Sequence, residues 1–175
     1  MRKFITAGLL LALFPLLANA DRENSDYEFE NEKPWKELQH SLPAYPKEEN
    51  LLPFYVSATT DNLFFVDATS ISIGDDGVVR YALLVKSPQG AVNLTFEGMR
   101  CASHEKKVYA FGRADGTWSQ ARHSKWEAIS YQNRNRQHHV LYDDFFCTSG
   151  LTVDKPERAI ESFKRDSLYR GKPGN

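Results

Sequence analysis

Between Leu63 and Arg113 the chain runs in short stretches of alternating apolar and polar residues, each closed by turn-forming residues: LFFVDATSISIGDDGVVRYALLVKSPQGAVNLTFEGMRCASHEKKVYAFGR. A period of two sends successive side chains to opposite faces of a strand, and clusters of Gly, Pro, Asp and Ser mark where strands reverse. This stretch therefore predicts an antiparallel β-meander, with turns at Gly74-Asp75-Asp76-Gly77, Ser87-Pro88-Gln89-Gly90 and Ala114-Asp115-Gly116. On Val78–Lys86 the residues Val79, Tyr81, Leu83 and Val85 form the expected core face. On the next strand Val92, Leu94 and Phe96 form the matching inward face, with Asn93, Thr95 and Glu97 outward and Gly98 as a bulge candidate. Lys107–Arg113 follows, with Tyr109 and Phe111 on one side and Val108 and Ala110 on the other. Trp118 and Ser119 begin a last strand. Upstream, Phe54–Ala58 and Leu63–Asp67 form a hairpin across Thr59–Asn62, so five to seven short strands are expected in all.

The flanks differ in kind. Residues 34–53, PWKELQHSLPAYPKEENLLP, contain four prolines, each of which removes a backbone donor and fixes a dihedral. An extended wrap is expected, with Trp35, Leu38, Leu42 and Tyr45 against the domain. Residues 138–147, HHVLYDDFFC, have the apolar spacing of a short helix. A longer one is predicted to run to Tyr169, capped by Thr152 or Asp154, with Pro156 in its first turn and Ile160, Phe163 and Leu168 on its apolar stripe. Helix laid on antiparallel sheet defines an α+β class.

Residues 1–20 read as a secretory signal: Arg2 and Lys3, an apolar run from Phe4 to Leu17, then Ala18-Asn19-Ala20 as a cleavage site. The apolar run is shorter than the roughly 20 residues that span a bilayer, so no stable transmembrane anchor is expected. Residues 21–33 form an acidic arm expected to be mobile, 34–170 a single domain and 171–175 a tail. Of 175 residues only Cys101 and Cys147 are cysteines, and in an oxidising compartment an even pair is most simply a disulfide.

No catalytic motif emerges. The five histidines, His40, His104, His123, His138 and His139, show no metal-binding spacing, and adjacent His138 and His139 are expected to be solvated. Asp75-Asp76 and Asp143-Asp144 are explained by a turn and a helix face. No nucleophile elbow, free thiol or phosphate-cradling glycine loop occurs, so no catalytic residue, metal or cofactor is predicted. Charge offers the one functional lead. The chain carries −1 overall, yet 21–37 holds seven acids against three bases, and 98–138 holds eight bases against three acids. Aromatic residues are interleaved with those bases, and Arg100, Arg113, Arg122, His123, Trp118 and Trp126 are the candidate binding residues. Such a surface suits an anionic envelope component or an acidic protein, or else the chain's own acidic arm. Nucleic acid is poorly placed for an exported protein. A non-enzymatic binding or structural module is the favoured reading, and a periplasmic hydrolase or lyase with a dispersed site is the alternative.

The segments PWKE, LPAYP, NLLPFYV, VDATSISIGDDGVVRYALLVKSPQGAVNLTFEGMRC, KKVYAFGRADGTWSQAR and DFFC resemble the cryptic neisserial protein family of exported proteobacterial proteins. The resemblance implies a periplasmic or cell-envelope location. Some of its members resemble lipoproteins, whereas this chain has no cysteine at the junction that ends its apolar start, so there is nothing there to lipidate. More loosely, VDATSI, GVVRYALL, a cysteine-ending strand, Trp126-x-x-Ile129 and a closing cysteine are similar to the surface-adhesin protein E domain, which implies a curved antiparallel sheet, a packed helix and a binding role.

Overall fold

The structure is a computed structural model and describes residues 34–130 and 136–170. The expectations for the signal, the acidic arm and the tail lie outside the described residues, as do residues 131–135 of the basic stretch. From Trp35 onward the described residues belong to one compact unit.

An antiparallel sheet is its centre. The strands are β1 (Leu51–Phe54), β2 (Leu63–Asp67), β3 (Ser72–Ile73), β4 (Val78–Lys86), β5 (Val92–Arg100), β6 (Glu105–Gly112), β7 (Trp118–Gln120) and β8 (Glu127–Ala128). The continuous path is β1-β2-β4-β5-β6-β7, with β3 beside β4 and β8 beside β6. The meander is thus present, with eight strands where five to seven are expected. The first hairpin pairs Leu51–Phe54, not Phe54–Ala58, with β2. Its strand begins where the prolines thin out, and Pro53 sits inside it at the sheet edge, where a missing N–H is tolerated.

After β8 come a short helix α1 (Gln137–Val140), a π-helical turn (Leu141–Phe146), a small hairpin β9 (Cys147–Thr148) and β10 (Leu151–Thr152), and the helix α2 (Pro156–Arg170). The π turn and α2 pack on one sheet face. Phe54, Val79, Tyr81, Leu83, Met99, Phe146 and Phe163 are all at most 2% exposed there, and Phe145 stacks on Phe163 with ring centroids 3.9 Å apart. Leu168, expected on the buried stripe, is 83% exposed, and its neighbour Tyr169 85%, so neither contributes to the core. Thr152 donates to the Gly77 carbonyl at 2.9 Å, while Asp154 pairs with Arg158. Cys101 and Cys147 form the expected disulfide, closing the end of β5 onto β9.

Two face assignments change. The β4–β5 register sets Tyr81 opposite Glu97 and Ala82 opposite Phe96. Glu97 and Thr95 therefore share the helix-covered face with Tyr81 and are buried, while Leu94 and Phe96 point to the other face. Val92 is 57% exposed. On β6, Phe96 pairs with Ala110 and Glu97 with Val108, so Tyr109 is the extra residue of a bulge. That bulge puts Tyr109 and Ala110 together in a second buried cluster with Phe96, in place of the simple alternation expected. The bulge is one residue from Gly98. A Cβ at Gly98 would lie 2.4 Å from the Tyr109 hydroxyl oxygen, so the missing side chain lets the tyrosine cross the strand.

The second sheet face is covered by the proline-rich segment, residues 35–46, which runs as an irregular strap. Trp118 donates its indole N–H to the Pro43 carbonyl at 2.9 Å, Tyr45 donates to the Arg113 carbonyl at 2.6 Å, and the His40 ring lies 3.9 Å from that of Tyr109. The wrap is as expected, but its grip is more polar than apolar: Trp35, Leu38 and Leu42 remain 37–45% exposed.

Candidate functional site

The segment after β7 forms the irregular outer edge of the sheet. Ala121 donates its N–H to the Tyr109 carbonyl at 2.8 Å, and the Ser124 hydroxyl donates to the Val108 carbonyl at 2.6 Å. Farther on, β8 pairs Glu127 and Ala128 with Lys106 and Glu105. Between these anchor points the edge bows away from β6 and leaves a groove of about 520 Å³. Val108, Phe111 and Ala121 supply its apolar lining; Arg122, Lys125 and Glu127 supply its charge, and the His123 ring lies among them. Glu127 is bonded to Lys106 at 3.2 Å. Arg122, His123 and Lys125 are exposed and form no salt bridge among the described residues. Phe111, 46% exposed, is the largest apolar side chain presented there.

The six candidate binding residues do not converge. Arg122 and His123 share the groove. Arg113 sits at the β6–β7 turn, donating to the Ser119 hydroxyl at 3.0 Å. Arg100 lies over the Trp35 ring at 3.9 Å and pairs with Glu105 at 3.7 Å. Trp118 packs against Phe96 and Tyr45, and Trp126 sits edge-on to Trp35.

Around Trp126 is a second arrangement, which holds the strap. The Glu37 carboxylate accepts from Lys107 Nζ at 2.8 Å, Tyr109 Oη at 2.8 Å and Trp126 Nε1 at 3.2 Å. Burial by itself raises the pKa of this carboxyl, but the three donors and the Lys107 charge outweigh it, so Glu37 titrates below the usual range. Burial and the bond to Glu37 push the Tyr109 phenol well up. Next to it, Arg80 and Asp76 form a 2.7 Å ion pair with side chains 5% and 1% exposed. Asp76 accepts the Leu38 N–H at 2.8 Å, and Arg80 donates to the Leu38 carbonyl at 3.2 Å. Burial alone would raise the Asp76 carboxyl, yet Arg80 and the backbone donors hold it below its ordinary value. Asp76 does belong to a turn, as expected, but it also anchors the strap. Glu37 is the last acid of the acidic stretch, so the basic segment holds part of the chain's own acidic sequence.

A third arrangement is sealed in the core. Glu97 accepts from Thr95 Oγ1 at 2.7 Å and from Tyr81 Oη at 3.1 Å, and pairs with His138 Nε2 at 2.8 Å. Burial alone would raise the Glu97 carboxyl; His138, the Thr95 hydroxyl and Lys106 bring it below the ordinary range. Tyr81 is pushed well up by burial and by its carboxylate neighbour. His138 and His139 are 6% and 8% exposed, which corrects the expectation of solvated rings: α1 turns both beneath the surface, His138 toward β5. An acid beside an imidazole is the material of proton transfer, but Glu97 is 3% exposed and neither residue lines the groove. Alternation gave no signal for this pair, because it assigned Glu97 to the solvent face. Among the described residues no three His, Cys, Asp or Glu side chains could hold a metal ion. No helix among them is long and apolar enough to cross a membrane.

The chain is 30% identical over 101 residues to cryptic neisserial protein 1 of Neisseria gonorrhoeae (strain ATCC 700825 / FA 1090), a match covering 51% of this chain and 50% of that protein. It thus spans about half the length of that curated relative. No solved structure matches. The model of the CNP1-like family matches residues 30–164, which takes in the strap, the whole sheet, both cysteines and most of α2, and the chain belongs to that family.

Proposed function

We propose that the protein is an exported, non-enzymatic binding module of the cell envelope, and that the groove along β6 and β7 takes a phosphate-bearing amphiphile. One observation carries this reading: three exposed basic side chains, Arg122, His123 and Lys125, free of salt bridges among the described residues, surround an apolar lining of Val108, Phe111 and Ala121. A cationic rim attracts a phosphate, and a small apolar floor accepts the first part of an acyl chain. Arg122 suits a phosphate by its planar fork of donors, and Lys125 by a compact charge.

The test is co-sedimentation with phosphatidylglycerol vesicles, using phosphatidylcholine vesicles as the comparison. Each basic residue close to an anionic surface contributes about 1 kcal/mol. The double variant Arg122→Ser, Lys125→Ser is therefore expected to lose most of the binding, and raised salt to weaken it. Arg113→Ser, at the turn outside the groove, is expected to bind as the parent does. Equal retention on both vesicles, binding indifferent to salt, or no binding to phosphatidylglycerol would each overturn the reading.

A further inference from the structure

The strap meets the sheet as a bound peptide meets its receptor. Three consecutive subsites take residues 35–38, and the receptor groups belong to the sheet, its turns and, for Trp126, the edge segment just before β8. The Trp35 ring lies under the Arg100 guanidinium at 3.9 Å and edge-on to Trp126 at 5.8 Å, and its indole N–H donates to the Asp76 carbonyl at 2.8 Å. The Glu37 carboxylate sits among Lys107, Tyr109 and Trp126. The Leu38 backbone is read on both sides, its N–H by Asp76 and its C=O by Arg80. Lys36 between them is exposed and joins none of these bonds. The register is thus an aromatic ring, a free position, a carboxylate and a backbone clamp.

Two features separate this from ordinary packing. Residues 35–38 add no strand to the sheet, so they can leave without breaking a β-ladder. They are also shallow: Trp35 is 37% exposed and Leu38 45%. Three of the receptor groups, by contrast, are held by partners outside the strap: Asp76 and Arg80 by each other, and Arg100 by Glu105. The site is built into the sheet and its occupant is laid upon it.

We propose that residues 35–38 fill, in cis, a recognition site for an extended Trp-x-Glu-Leu segment, and that the same segment of a second copy of this chain takes the site when a copy's own segment is displaced. A second copy is the occupant because it carries the complementary sequence by identity, and two copies can exchange segments reciprocally. Covalent linkage gives the resident segment a high effective concentration, so exchange shows itself once the cis contacts are weakened. The proposal stands on the opposite face of the sheet from the groove's lining and does not rest on phosphate binding.

The experiment uses the full chain carrying Trp35→Ala and Glu37→Gln, which strips two subsites of their resident ligand and leaves every receptor group in place. A fluorescein-labelled peptide of parent sequence, residues 34–42, is titrated in and followed by anisotropy. The variant is expected to bind saturably, and at least about tenfold more tightly than the parent chain, whose site is filled. A peptide carrying the same two substitutions is expected not to bind. Circular dichroism and an intact disulfide establish that the variant is folded; if the double change unfolds it, Trp35→Ala alone is used in the same titration. Absence of peptide binding to a folded variant overturns the proposal. So does equal binding of the parent and substituted peptides, or of a scrambled peptide of the same composition, which would indicate attraction by charge alone.

Discussion

Glu97 is a carboxylate held in the interior, 3% exposed and fully partnered. Its three partners come from two strands and a helix, and all of them meet it in the interior. A buried donor left without its acceptor costs about 1–3 kcal/mol, more where the lost acceptor is charged. Glu97→Gln, which keeps the shape and discards the charge, is expected to approach that cost, read as a lowered urea midpoint with an unchanged slope. The pH dependence has a definite sign. The folded pKa of Glu97 lies below its unfolded value, so its contribution is complete above the ordinary carboxylate range and is lost as pH falls through the folded value. Acid unfolding of the parent should therefore be steeper than that of Glu97→Gln as pH falls below the ordinary glutamate range, about pH 4.5; superimposable acid profiles would show that the carboxylate does not contribute. The sequence hides all of this. An isolated glutamate in an alternating strand is assigned to solvent, since alternation says which residues share a face and not which face is covered.

At the level of elements, the β5–β6 pair shows where reading by pattern succeeds and where it stops. Strand positions from Leu63 to Gln120 were legible within a few residues, because turn residues mark the reversals. The face assignment on β5 was not, because both faces of the sheet are covered. With helices on one side and the strap on the other, Leu94 and Phe96 can be buried away from the main core, and apolar character ceases to distinguish inside from outside. The bulge was half legible: Gly98 flagged it, but the extra residue is Tyr109, on the partner strand. The two are coupled by contact. Gly98→Ala would push against the Tyr109 ring and hydroxyl, and overpacking of this kind costs about 1–3 kcal/mol. Because Tyr109 also donates to Glu37, the substitution should speed hydrogen exchange at the Leu38 amide while leaving that of β4 amides little changed. Uniform acceleration across the sheet would mean that the strain spreads rather than releasing the strap.

For the molecule as a whole, the disulfide governs how far the C-terminal layer can part from the sheet. Cys101 and Cys147 are 46 residues apart in sequence, and closing a loop of that size stabilises a fold by about 4 kcal/mol in the chain-entropy account. Reduction should lower the denaturation midpoint correspondingly, with the π turn and α2 exchanging first; an unchanged midpoint would show that packing around Phe145, Phe146 and Phe163 suffices. The pairing was legible from a count of two. The candidate site was not, because charge counted along 98–138 sums side chains that the fold distributes to different places, among them Arg122 and Lys125 to the groove, Arg100 and Lys107 to the strap, and Arg113 to a turn. A segment's net charge is a property of the chain, whereas a site is a property of the register.

The sheet's outer margin has a consequence for the protein in concentrated solution. Edge strands with unpaired backbone groups are templates for the addition of further chains. Here β1 is four residues long and carries Pro53, whose nitrogen has no hydrogen to offer an incoming strand. Fibril growth from that margin is thereby discouraged at the outset, and a sample kept for weeks at high concentration should remain free of thioflavin-positive material, whereas Pro53→Val would give β1 the missing donor and open the margin to stacking.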